Sequence, residues 1–300
     1  MNCEEAVYTL DYDGESFSVN VNGFDLIGQI WKPEAAPRYI YIFIHGLGGY
    51  VTMKHDFYTL ITKDNGVVYA CDHIGCGKSP GPRTSVIIDE ILDETLKIIK
   101  LAKEQYPTLP VVIHGHSMGG LALIKFGLTK YNEVKNDLKC VIAEAPWLSK
   151  CPQKEPNMFE LAGIKFLNWI KPNLLVQTPA DMPTDDLDLR YVELANKSTL
   201  GSTGITPKVY LDSVECQKFC EENKLNWPSN LPLLYQQGTG DVLVDPDLNQ
   251  KWIQPLLENK EKLNLDVELK TYDKGPHMLL KSACRPSVAK DIIDFINAHI

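Results

Sequence analysis

The chain has 300 residues, a formal net charge of −9, and 44% hydrophobic against 23% charged residues. That suits one large α/β core plus an insertion, with no need of disulfide staples. The negative balance excludes the basic stripe left by nucleic-acid binding and gives no electrostatic pull toward an anionic membrane. No run reaches the ~20 apolar residues of a bilayer span, and Met1-Asn2-Cys3-Glu4-Glu5 opens no signal-length apolar run.

Alternation over Phe17–Val21, a turn at Asn22-Gly23 and the run Phe24–Trp31 predict a hairpin. Tyr39–Ile44 reads as a buried strand ending in His45-Gly46-Leu47-Gly48-Gly49, followed by a helix near Lys54–Asp64. Val67–Cys71 is the next strand and leads to a long helix from about Val86 to Gln105. Leu109–His114 is short, apolar and β-branched, a buried parallel strand. The helix after it runs from Gly120 to Tyr131, with Leu121, Ile124 and Leu128 on one face, and Lys139–Ala145 returns to strand. This rhythm predicts an α/β fold with a doubly wound, mostly parallel sheet.

The rhythm breaks at Pro146 and returns at Leu231. Residues 1–146 and 231–300 are expected to form the core, and residues 147–230 a helical cap or lid over the C-terminal edge of the sheet. Within that stretch Met158–Ile170 is strongly apolar, charged only at Glu160 and Lys165. Its plain reading is a helix packed on the core. Its sharper reading is a lid face in which Phe159, Phe166 and Trp169 line a cleft for an acyl chain or touch a lipid surface. Asp181, Asp185, Asp186 and Asp188 read as a solvated, turn-rich loop rather than a cation site. Strands at Leu231–Gln237 and Leu265–Tyr272 and a helix over Ser287–Ala298 close the chain.

Gly115-His116-Ser117-Met118-Gly119 has the form G-x-S-x-G between a strand and a helix, the setting of a nucleophile elbow. A serine hydroxyl becomes nucleophilic at neutral pH only when a histidine takes its proton and a carboxylate orients that histidine. The oxyanion then needs two donors already in place, and the N–H groups of Met118 and Leu47 are the candidates. On this scaffold the order is Ser, carboxylate, His. Five of the seven histidines precede Ser117, and His299 lies in the last helix, where it is expected to be solvated. His277, after a Gly-Pro turn, remains as the base. Asp241 stands where the Leu231 strand ends, while its rival Asp245 is placed to cap the next helix.

These segments resemble the α/β-hydrolase fold family, and more narrowly the monoacylglycerol lipase and lysophospholipase group filed with serine aminopeptidase-like hydrolases. The resemblance rests on His45-Gly46, Asp72-His73-Ile74-Gly75-Cys76-Gly77-Lys78-Ser79, Gly115–Gly120, Gly238-Thr239-Gly240-Asp241 and Gly275-Pro276-His277, in the expected order. The second element is similar to a D-x-x-G-x-G-x-S turn that carries no catalytic group. One departure stands out: where the family often reads H-G-x-G-E/D-H, Tyr50 and Val51 follow Gly49. The resemblance implies hydrolysis of small amphiphilic carboxylic esters through an acyl-enzyme, without metal or other cofactor and with at most transient contact with a lipid surface. A proline-iminopeptidase-like enzyme and a non-catalytic binding module are the alternatives. The eight cysteines are scattered, with no ligand spacing at Cys216 and Cys220, so a reduced, cytoplasmic protein is expected and the Asn196-Lys197-Ser198 sequon is silent.

Overall fold

The computed structural model describes residues 7–149, 156–177 and 184–300. Cys3, Cys151 and Asp181 lie outside the described residues. The hairpin forms from β1 (Glu15–Val21) and β2 (Phe24–Trp31). Asn22 and Gly23 both take positive φ, 50° and 85°, the turn geometry that Asn-Gly favours. Next come β3 (Tyr39–Ile44), α1 (His55–Lys63), β4 (Gly66–Cys71), α2 (Ile88–Gln105) and β5 (Val111–His116). They are followed by α3 (Met118–Thr129), α4 (Tyr131–Val134) and β6 (Leu138–Glu144). The insert holds α5 (Met158–Ile170), β7 (Val176–Gln177), α6 (Leu189–Lys197), β8 (Gly204–Ile205) and α7 (Pro207–Asn223). The chain then returns through β9 (Leu233–Gly238), α8 (Pro246–Glu258), β10 (Val267–Tyr272) and α9 (Arg285–His299).

Eight strands form one sheet in the order β1-β2-β4-β3-β5-β6-β9-β10. β2 runs antiparallel to both its neighbours, and every later pairing is parallel. All residues of β3, β4, β5 and β9 are buried, as parallel strands covered on both faces must be. On one face Ile42, Ile113 and Leu233 pack with Ile91 of α2, Leu121 of α3, Val209 of α7 and Ile253 of α8. On the other Tyr41, Val112 and Ile142 pack with Phe57 of α1 and Ile292 of α9.

Three sequence expectations are corrected. β5 ends two residues later than the apolar pattern suggested, at His116, which is buried with its Nε2 on His277 O. His299 is not simply solvated: its ring nitrogens lie 2.6 Å from Phe295 O and 3.0 Å from an Asp266 carboxylate oxygen. α7 buries Val209, Ser213, Cys216 and Cys220 against the layer built by α3. α5 takes the opposite course. It packs against α7 but buries none of its own residues, so it is not a helix sunk into the core. Cys71, Cys76, Cys140, Cys216, Cys220 and Cys284 are free thiols, and no helix among the described residues is long and apolar enough to cross a membrane.

Candidate active site

Ser117 sits between β5 and α3 with φ 56° and ψ −117°, a conformation sterically costly for any residue with a Cβ. The surroundings hold it there. Its N–H donates to Glu144 O at 3.0 Å, and its carbonyl accepts from Leu121 N at 3.0 Å and Trp147 N at 2.9 Å. Met118 begins α3, so the positive end of the helix dipole faces the serine. The glycine turn after β3 lies directly alongside: a Cβ at Gly46 would stand 2.9 Å from Ser117 Cβ. Among the described residues neither the Leu47 N–H nor the Met118 N–H meets a backbone acceptor.

Asp241 and His277 meet across the loops that follow β9 and β10. His277 Nδ1 is 2.7 Å from Asp241 Oδ2. The other oxygen, Oδ1, accepts from Leu243 N at 2.9 Å and Val244 N at 3.0 Å. The two loops touch backbone to backbone: Gly240 N donates to Gly275 O at 3.0 Å, and a Cβ at Gly238 would overlap that same oxygen at 2.0 Å. Burial alone would raise the Asp241 pKa. The His277 charge and hydrogen bond, with the two N–H groups, outweigh it and hold the carboxyl below its ordinary value. Asp241 is therefore an anion facing the imidazole. Asp245 is occupied otherwise, accepting from Asp247 N and Leu248 N, both at 3.0 Å, as the N-cap of α8.

Ser117 Oγ makes no hydrogen bond among the described residues, a common state of such a hydroxyl before substrate tightens the site. His277 is tied to the elbow through its own backbone. His116 Nε2 donates to His277 O at 3.1 Å, and the two rings are 4.8 Å apart. Burial, followed by the Lys54 charge, pushes His116 down to about 3, so the ring is neutral at physiological pH.

Beneath the elbow lies a buried polar network that the sequence pattern did not reveal. Lys54 Nζ meets both carboxylate oxygens of Glu144 at 2.8 Å, with both side chains fully buried. His114 Nε2 lies 3.1 Å from Glu144 Oε2, and His114 Nδ1 pairs with the Tyr41 hydroxyl. Glu144 is also the residue whose carbonyl anchors Ser117 N, so this network fixes the floor of the elbow. Lys54→Met should leave a buried carboxylate without its cation and cost about 3–5 kcal/mol of stability by urea denaturation. The double variant Lys54→Met/Glu144→Leu should recover much of that loss. A single variant as stable as wild type would mean that the pair does not hold the floor.

A second buried set supports the glycine turn after β3. His45 Nδ1 lies 2.8 Å from Gly46 O, and His45 Nε2 accepts from His73 N at 3.1 Å. His73 Nδ1 meets Glu94 at 2.7 Å while its Nε2 reaches His45 O at 3.0 Å. Burial lowers the His73 pKa, but Glu94 more than compensates, and the net shift is upward.

The structure does not bring the aromatic residues of α5 together around the serine. Phe159, Phe166 and Trp169 are 81%, 58% and 79% exposed, and with Met158 and Ile170 they make an outward apolar surface. Of the acidic cluster, Asp185 and Asp186 are exposed, while Asp188 caps α6 and pairs with Arg190 at 2.6 Å. No group of three or more metal-ligating side chains forms among the described residues. The recess lined by Asp13, Trp31, His55 and Tyr58 shares no residue with the site.

Residues 35–282 match the family model Hydrolase_4, described as serine aminopeptidase, S33. The chain is 26% identical to monoglyceride lipase of Rattus norvegicus over 284 residues, covering 94% of this chain and 88% of that protein. It is 25% identical to the Homo sapiens monoglyceride lipase over 294 residues, covering 97% and 92%. The crystal structure of Paleococcus ferrophilus monoacylglycerol lipase superposes with a TM-score of 0.77 at 22% identity, over 92% of this chain and 99% of that one. Its sheet order, its strained strand-to-helix serine and a family match over most of its length converge: the chain belongs to the serine aminopeptidase, S33 family of α/β-hydrolases.

Proposed function

We propose that the protein is a serine hydrolase cleaving carboxylic esters of monoacyl lipids. The observation that carries this reading is the 2.7 Å contact of His277 with an anionic Asp241, on loops joined to the elbow of a strained Ser117. In the proposed reaction Ser117 Oγ attacks the ester carbonyl as His277 Nε2 takes its proton. Asp241 fixes the imidazole tautomer and stabilises the imidazolium. The N–H groups of Leu47 and Met118 receive the oxyanion. His277 then returns the proton to the leaving alcohol; water, deprotonated by the same ring, attacks the acyl carbon, and the ring gives that proton to Ser117 Oγ as the acid leaves. All the groups required are side chains and backbone of this chain, so no cofactor enters.

The insert serves in this reading as the cap. The outward apolar surface of α5, with Phe159, Phe166 and Trp169, supports transient contact with an aggregated lipid substrate. The aminopeptidase alternative asks for a cap carboxylate that holds a substrate ammonium. Asp188, engaged by Arg190 and the end of α6, favours the ester reading over it.

A panel of monoacyl esters of increasing chain length, set beside aminoacyl amides, tests the proposal. Each buried CH₂ is worth ~0.8 kcal/mol, so kcat/KM should rise about fourfold per methylene over the first several carbons. Amides should be poor substrates throughout. A flat chain-length response, or a preference for aminoacyl amides, would replace this reading with the peptidase one.

A further inference from the structure

Residues 198–204 of the insert are pinned to the turn that carries Leu47, and the contacts come from side chains and backbone with no part in the chemistry. Ser202 N donates to Gly48 O at 3.0 Å. Gly48 has φ +66°, and a Cβ there would stand 1.8 Å from Ser202 O, so the two backbones touch with no room for a side chain. Tyr50, the residue that departs from the family pattern, is buried, and its ring lies against the same segment: a Cβ at Gly201 would stand 3.5 Å from Tyr50 Cε1.

Arg83 completes the arrangement. Its guanidinium is surrounded by backbone carbonyls of two segments. Nη1 lies 3.4 Å from both Gly75 O and Gly77 O. Nη2 lies 3.0 Å from Gly201 O and 3.4 Å from Thr199 O, and it also donates to Leu200 O. No carboxylate pairs with Arg83 among the described residues. A planar fork with donors on both sides can join two stretches of main chain in this way, whereas an ammonium is a single point donor.

We propose that Arg83 is a positioning residue for the oxyanion turn. By clipping residues 199–201 to the Gly75–Gly77 turn it seats Ser202 on Gly48, and so fixes the direction of the neighbouring Leu47 N–H. The inference rests on the oxyanion role proposed above for Leu47. Donors to a developing oxyanion act by being in place beforehand, and a displacement of about 1 Å costs on the order of 100-fold. Removing the clip should therefore lower kcat rather than weaken ground-state binding.

The test compares Arg83→Lys and Arg83→Gln with wild type on one monoacyl ester, reading kcat, KM and Tm, with fluorophosphonate labelling run alongside. The expected result is a fall in kcat of about 10-fold or more with KM changed less than about twofold. Lysine should be no better than glutamine, despite keeping the charge. Gly48→Ala, made to displace Ser202 from the same turn without touching Arg83, should show the same kcat-weighted loss. A wild-type kcat in Arg83→Lys, a rise in KM alone, or a lowered Tm with intact kinetics would each overturn the clip. If wild type itself neither labels nor hydrolyses the ester, the serine-hydrolase reading falls and the clip with it. Labelling by wild type together with full activity in Arg83→Lys refutes the clip alone.

Discussion

Ser117→Ala should keep the fold and lose about 10⁶-fold in kcat, the usual cost of removing the nucleophile from a triad. The alanine keeps the Cβ, so it inherits the same φ of 56° and the same backbone hydrogen bonds to Glu144, Leu121 and Trp147. Its melting temperature should therefore stay close to wild type, which separates lost chemistry from lost structure. Covalent labelling by a fluorophosphonate should vanish altogether. A variant that retains more than a small fraction of turnover would move the nucleophile elsewhere.

Asp241→Asn should cost roughly 10⁴-fold in kcat. The amide oxygen can still accept from Leu243 N and Val244 N, so the loop has reason to stay in place. The amide NH₂ then faces His277 Nδ1, where a donor forces the opposite tautomer and leaves Nε2 protonated and unable to act as base. Asp245→Asn is the control. Asparagine caps a helix about as well as aspartate, so α8 should hold and the kinetics should stay near wild type. The reverse ranking of the two variants would transfer the carboxylate role to Asp245.

The residues proposed for the chemistry were legible in the sequence because each lies in a local pattern. Ser117 is bracketed by glycines between a β-branched run and a helix, and His277 and Asp241 each follow a strand through a glycine turn. Chain order then disposed of the other histidines. What stayed hidden is long-range. Lys54 and Glu144 lie 90 positions apart, and the sequence around neither points to the other. Only the fold reveals that they are fully buried and joined. The partners of His114 and His116 stayed hidden for the same reason, since Tyr41 and the His277 carbonyl are remote in sequence. α5 failed in the opposite sense. An apolar helix implies a covering partner, and no sequence pattern reports that α7 covers one side of it while Phe159, Phe166 and Trp169 stay exposed. Arg83 offered no signal, because its acceptors are carbonyls, which every residue possesses.

That thinly covered helix has a consequence for how the molecule breathes. Met158–Ile170 is 13 residues long, with Asn157 and Glu160 forming a capping box at its start and no buried side chain of its own. A helix of about that length is marginal when only its cap and one neighbour, α7, support it. Its amides should thus exchange with solvent through a local opening of low free energy, while those of β3 and β5 exchange only when the whole sheet comes apart. An amphiphile seated on α5 would add its binding energy to that local equilibrium first. Protection in α5 would rise steeply while the melting temperature hardly moved, so calorimetry would overlook an encounter that deuterium uptake reports peptide by peptide.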